Sequence, residues 1–227
     1  MALIAHVREF RDRLIKVVVG VIITTALSFV YVDTLIDLFV RLKPANVPLV
    51  AFNPTEKFTT YFQVALTFGI ILAMPVIVYQ VFRFIAPGLV ARERFWVLLS
   101  IPLVTLFFLA GTLFCYMLVL PSALAFLYGF GSDQIGNIQP IGSFIGFATS
   151  FLLVVGLTFE IPPVMFLLAK LRLITYKRLG GLRRYVVVIA FVLAAIITPT
   201  PDPVNQAIVA VAIYLLYELG VLFARFA

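Results

Sequence analysis

Long uninterrupted apolar stretches alternate along this chain with short polar segments crowded with arginine and lysine. Crossing about 30 Å of hydrocarbon takes about 20 mainly apolar residues in a helix. Six stretches meet or approach that length: Leu14–Val32, Tyr61–Phe82, Trp96–Leu120, Phe144–Ala169, Tyr185–Thr198 and Asn205–Leu222. Their apolarity is continuous rather than alternating with a period of two, which predicts helices and not barrel strands. The predicted architecture is an all-α integral membrane protein of six transmembrane helices, one polytopic domain over residues 1–227 with no internal repeat. Before the first span, Leu3, Ile4, Val7, Phe10 and Leu14 share one helical face while His6, Glu9 and Arg13 lie off it. That pattern predicts an interfacial amphipathic helix leading into the membrane.

The last two spans are lean. Tyr185–Thr198 would rise only about 21 Å, and Pro199, Pro201 and Pro203 prevent its extension, since proline lacks the amide proton and clashes with the preceding turn. So short a pair is expected to thin the bilayer beside it. Arg8, Arg11 and Arg13 ahead of a run passing Ala26-Leu27-Ser28 loosely resemble a cleavable signal peptide, but the run continues through Phe29-Val30-Tyr31-Val32, which favours a retained span.

Charge sets the expected orientation. Fourteen of the 17 Lys and Arg fall on one side: in the N-terminal segment, in the second-to-third connection, in the fourth-to-fifth connection (Lys170 to Arg184), and at Arg225. Arg41, Lys43 and Lys57 occupy the first loop on the other side. The excess of basic residues on cytoplasmic loops places both termini in the cytoplasm. The net charge of +7 is thus explained by topology and does not call for nucleic acid.

Composition narrows the function classes. Hydrophobic residues make up 63% and charged residues 12% of the chain, too little polar surface for a soluble enzyme or a disordered segment. One cysteine, Cys115, permits no internal disulfide and reads as a buried apolar residue. One histidine rules out a His-based metal cluster, and no phosphate-binding loop is present. The Gly180-Gly181 pair reads as part of a loop, and no cofactor is implied.

Few residues are left to carry chemistry. Glu9 and Arg13 stand four apart and could be a plain helix pair worth about 0.3–0.5 kcal/mol. Glu93 is flanked by Arg92 and Arg94 on a short basic loop after the Pro87-Gly88 turn. Glu160 lies well inside an apolar span, where a charge costs about 2.5–3.5 kcal/mol, so it is a functional-site candidate. The Pro162-Pro163 pair after it should kink that helix. Glu218 could reach towards Arg225.

The ordered set His6-Val-Arg-Glu-Phe-Arg-Asp-Arg13, Asn53-Pro-Thr-Glu-Lys-Phe58, Pro75-Val-Ile-Val-Tyr-Gln80, Phe84-Ile-Ala-Pro-Gly-Leu89 with Arg92-Glu-Arg94, Phe159-Glu-Ile-Pro162, Thr198-Pro-Thr-Pro-Asp202 with Gln206, and Tyr217-Glu-Leu-Gly220 resembles the TatC family over essentially the whole chain. This is the core subunit of the twin-arginine protein translocase. One departure is Phe10, where leucine is usual.

The resemblance implies a receptor and scaffold, not an enzyme, that exports folded proteins across the cytoplasmic (or a thylakoid-type) membrane on the proton-motive force. It implies that Glu9 and Glu93 bind the paired arginines of signal peptides, with Phe84 and Arg13 on the same surface. Glu160 would face a concave cavity, and Pro54 and Glu56 would belong to an outer loop capping it. Asp202 and Gln206 would lie where single-span TatA-like and TatB-like partners dock, and self-association is implied. The main rival is a proton-coupled small-molecule transporter centred on Glu160. An intramembrane protease ranks last, because it needs a nucleophile with a base or an aspartate pair within the spans, and Asp33, Asp37, Asp133 and Asp202 all lie outside them.

Overall fold

Apolar helices in lipid close all their backbone hydrogen bonds internally, and the chain is accordingly almost wholly helical. The computed structural model describes residues 2–43, 47–85, 90–129, 138–197 and 203–226. Among the described residues the α-helices are α1 Ala2–Val30, α2 Val32–Val40, α3 Pro54–Ile85, α4 Ala91–Phe114, α5 Leu120–Gly129, α6 Ile141–Thr158, α7 Ile161–Lys170, α8 Tyr176–Ile197 and α9 Pro203–Arg225. Six helical segments among the described residues are long and apolar enough to span a bilayer, and each contains or overlaps one expected span.

Several boundaries differ from the expectation for identifiable reasons. No proline or cap separates residue 2 from residue 30, so the amphipathic segment and first span form one helix rather than two. The third span runs from α4 through a five-residue π-helical turn, Cys115–Val119, into α5. Pro121 follows it and offers no N–H to the carbonyl one turn back, which lets the ladder widen. The fourth span breaks at Phe159–Glu160, and Pro162 and Pro163 open α7, where a missing amide proton costs nothing. Gly180 and Gly181 lie inside α8 and not in a loop. The last two spanning helices are the shortest of the six, yet the basic residues before Tyr185 extend α8 to 22 residues.

Packing divides the bundle. The 32-residue α3 is the central post, touching α1, α2, α4 and α6. Phe39, Val64, Phe108, Leu120, Phe144 and Ile145 are fully enclosed in the main core. A smaller cluster of Met165, Leu179, Tyr217 and Val221 joins α7, α8 and α9. Helices in lipid gain little from hydrophobic exclusion and associate through close backbone approach and polar contacts. At the α1–α3 crossing, a Cβ on Gly69 would stand 2.7 Å from Thr25 Cα, and Thr24 Oγ1 donates to the Gly69 carbonyl at 2.7 Å. Gln63 Nε2 donates to Thr149 Oγ1 at 3.0 Å, tying α3 to α6.

The connection before α3 and the one before α6 meet at one end of the bundle. Leu49–Val50 (β1) pairs in parallel with Gln139–Pro140 (β2), the sole strand pair among the described residues. The amphipathic α2 buries Val32, Ile36 and Phe39, and Tyr116 donates from its hydroxyl to the Leu38 carbonyl at 3.0 Å.

Candidate functional site

The first two spanning helices, α1 and α3, lie side by side, and at one end they bring together three of the side chains singled out in the sequence. Glu9 and Arg13 are one turn apart on α1, and Phe84 is in the last turn of α3. The His6 ring stacks on Phe84 with centroids 4.5 Å apart, and Phe10 meets the same ring edge-on at 5.6 Å. Phe10 therefore joins this contact as an aromatic ring in an edge-to-face arrangement.

Arg13 donates from Nε to Glu9 Oε1 at 3.0 Å and also from Nη2 to the same oxygen. Among the described residues the other carboxylate oxygen, Oε2, has no hydrogen-bond partner. The pair is the plain one that the spacing allowed, and it orients Glu9 while leaving half of its carboxylate uncommitted. A groove of about 460 Å³ runs beside it between the helices, walled by Phe10, Leu14, Val81 and Phe84, with Arg13 and Gln80 as its polar members. The edge thus combines a fixed carboxylate, stacked rings and an apolar trough, suited to a peptide carrying cations followed by an apolar stretch. The Glu93 side chain lies outside the described residues. Its backbone is in the first turn of α4, the next helix after α3.

Glu160 occupies the turn that interrupts the fourth span, with its carbonyl accepting from Val164 N–H at 3.0 Å. Both of its carboxylate oxygens are shut off from solvent and lack a hydrogen-bond partner among the described residues. This isolation sets it apart from Glu218, which pairs with Arg183 on α8 at 2.8 Å instead of reaching Arg225.

Pro54 is exposed and opens α3. Two residues on, Glu56 accepts from Phe52 N–H at 2.8 Å and from Gly142 N–H at 2.9 Å. One carboxylate therefore ties the loop before α3 to the start of α6, beside the β1–β2 pair. On α9, Gln206 donates to the Phe191 carbonyl of α8 at 3.3 Å. Asp202 lies outside the described residues. Among those described, no three His, Cys, Asp or Glu side chains gather as metal ligands.

Sequence reasoning missed His6 and Gln80 as parts of the α1–α3 edge. Both sit inside quoted motifs, and their helical register with Phe10 and Phe84 was the available signal.

A family model described as Sec-independent protein translocase protein (TatC) matches residues 5–211. The chain is 37% identical over 227 residues to the Sec-independent protein translocase protein TatC of Carboxydothermus hydrogenoformans, covering 100% of this chain and 93% of that one. It is 35% identical to the protein of the same name from Aquifex aeolicus, over 100% of this chain and 96% of the other. A crystal structure of the twin arginine translocase receptor TatC matches with a TM-score of 0.81 at 33% identity, covering 97% of this chain and 98% of that chain. A second, of the same receptor in DDM, gives 0.83 at 34% identity over 96% and 98%.

Proposed function

The chain belongs to the TatC family and is a multi-pass membrane component of the Sec-independent twin-arginine protein translocase, and from that premise we propose that its α1–α3 edge receives the arginine pair of signal peptides. What supports the reading is the Glu9 carboxylate, held by Arg13 at the mouth of an apolar groove rimmed by the Phe10–Phe84 contact. Arginine is permanently charged, and its planar fork engages a carboxylate bidentately, which lysine cannot reproduce. In this reading an incoming guanidinium takes Glu9 Oε2 or displaces Arg13, and Glu93 takes the second arginine. The apolar stretch that follows in the peptide lies in the groove. Partial exclusion of water strengthens both pairs above the usual surface value.

On this reading both termini face the cytoplasm, the membrane is the cytoplasmic one, and the protein works by binding, not catalysis. Folded cargo moves on the proton-motive force with TatA-like and TatB-like single-span partners, for which Asp202 and Gln206 form a docking region. Pro54 and Glu56 hold the outer cap. The transporter alternative required paired broken helices in two related halves. Among the described residues only the α6–α7 span is fully interrupted.

The test is photo-crosslinking from Val81, which is half exposed on the groove wall. An Arg-Arg signal peptide should label the wild type at least tenfold more strongly than its Lys-Lys counterpart, and Glu9→Ala and Glu93→Ala should each lose most of the adduct while keeping the thermal unfolding profile. Undiminished labelling in both variants would remove the assignment.

A further inference from the structure

Antiparallel packing of α8 and α9 brings the first turns of one helix beside the last turns of the other, and the two do not close completely. A cavity of about 820 Å³ remains between them. Its apolar wall is Leu215, Leu219 and Leu222, which α9 leaves 57%, 42% and 46% exposed. Its polar lining is Lys177 and Arg225 at the first turn of α8 and the last turn of α9, with Arg183 and Glu218 about two turns further in. Arg183 and Glu218 neutralise each other through two parallel contacts, Nε to Oε1 and Nη2 to Oε2, both at 2.8 Å. Glu218 also accepts from the Tyr214 hydroxyl at 3.1 Å.

Lys177 and Arg225 remain, two positive charges at this end of the cavity with no acidic partner among the described residues. Gly180 supplies the room between them and the wall, since a Cβ there would meet nothing within 4 Å. The same end lies at a membrane boundary: Lys170 caps the Trp96 ring at 4.1 Å where α7 meets α4, and Arg184 covers Tyr185 at 4.7 Å. Aromatic rings with cations over them favour the headgroup level.

We propose that this cavity binds an anionic phospholipid of the surrounding bilayer, with its phosphate between Lys177 and Arg225 and an acyl chain along Leu215, Leu219 and Leu222. A soluble anion would use the cations but not the apolar wall. A zwitterionic lipid would use the wall but leave the two charges unbalanced. Basic pockets between spanning helices are built for headgroups of this class. The inference uses none of the residues assigned to signal-peptide binding and stands separately from that assignment.

The test is native mass spectrometry on the full chain in detergent, titrated with phosphatidylglycerol or with phosphatidylcholine of the same acyl chains. Each basic side chain near a headgroup is worth about fivefold in affinity, so the wild type should prefer the glycerol lipid by on the order of 20-fold. Lys177→Gln with Arg225→Gln should bring the preference within about twofold, while Lys177→Arg retains it. Gly180→Leu, which fills the cavity and suits a helix better than glycine, should weaken both lipids with every charge intact. Unfolding temperatures in phosphatidylcholine micelles confirm that each variant is folded. Equal binding of the two lipids by wild type, an unchanged preference in the double variant, or undiminished binding in Gly180→Leu would overturn the proposal. So would displacement of the lipid by glycerol 3-phosphate at a matching concentration, which would make this a soluble-anion site.

Discussion

Three carboxylates in this molecule have three different surroundings, and each predicts a different response to substitution. Glu9 shares one oxygen with Arg13 on the same helix, a partly exposed pair worth about 0.3–0.5 kcal/mol. Arg13→Gln should thus leave the unfolding temperature within a degree or two, with any large effect confined to peptide binding, read by the Val81 cross-link. Glu56 accepts from two backbone amides on two segments, so Glu56→Ala unties those segments and should lower the thermal unfolding temperature, with Glu56→Gln lowering it less. Glu160 has no partner among the described residues for either oxygen, and Glu160→Leu should raise stability by about 1–3 kcal/mol, measured by unfolding in detergent. Transport assayed separately in Glu160→Gln would show whether the carboxyl is needed as a proton site. The sequence marked Glu160 by its charge inside an apolar run, whereas Glu9 and Glu56 stood out only through the motifs that resemble the family. It did not reveal that Glu56 spans 86 positions to Gly142, since nothing local records which distant amide a side chain will meet.

Among the helices, closeness of approach decides more than apolarity. Every helix in lipid is apolar, so hydropathy finds spans without saying which of them touch. Gly69 and Gly220 mark two contacts where a side chain would collide with the neighbour: Thr25 on α1 and Met165 on α7. Gly69→Val should separate α1 from α3, lower the unfolding temperature and reduce peptide cross-linking from Val81; full cross-linking in a folded Gly69→Val protein would show that the crossing is dispensable. The six spans were legible as composition, and the break before Pro162 was legible as backbone chemistry. Helix ends were less so. The sequence reading stopped α8 at Tyr185 because arginines and lysines lie upstream, but long basic side chains reach outward from a helix without ending it. The short α2 was also missed, although Val32, Ile36 and Phe39 stand at helical spacing.

For the molecule as a whole, the lengths of its spans are unequal. The continuous third span covers 36 residues, whereas those of the last two cover 22 and 20. In α8 only the part from Tyr185 to Ile197 is free of charge, about 20 Å of rise. Bilayer thickness measured by depth-dependent quenching should be smaller beside α8 and α9 than beside α3, and a uniform thickness around the bundle would remove that expectation. The orphan surface of α1 is unequal in another way. In its most apolar window only 6% of residues are buried, and its principal neighbour is α3. A leaf hung from a single post has one seam to part: a guest wedged between α1 and α3 would have to open that contact along its length, from the His6–Phe84 stack to the crossing where Gly69 meets Thr25.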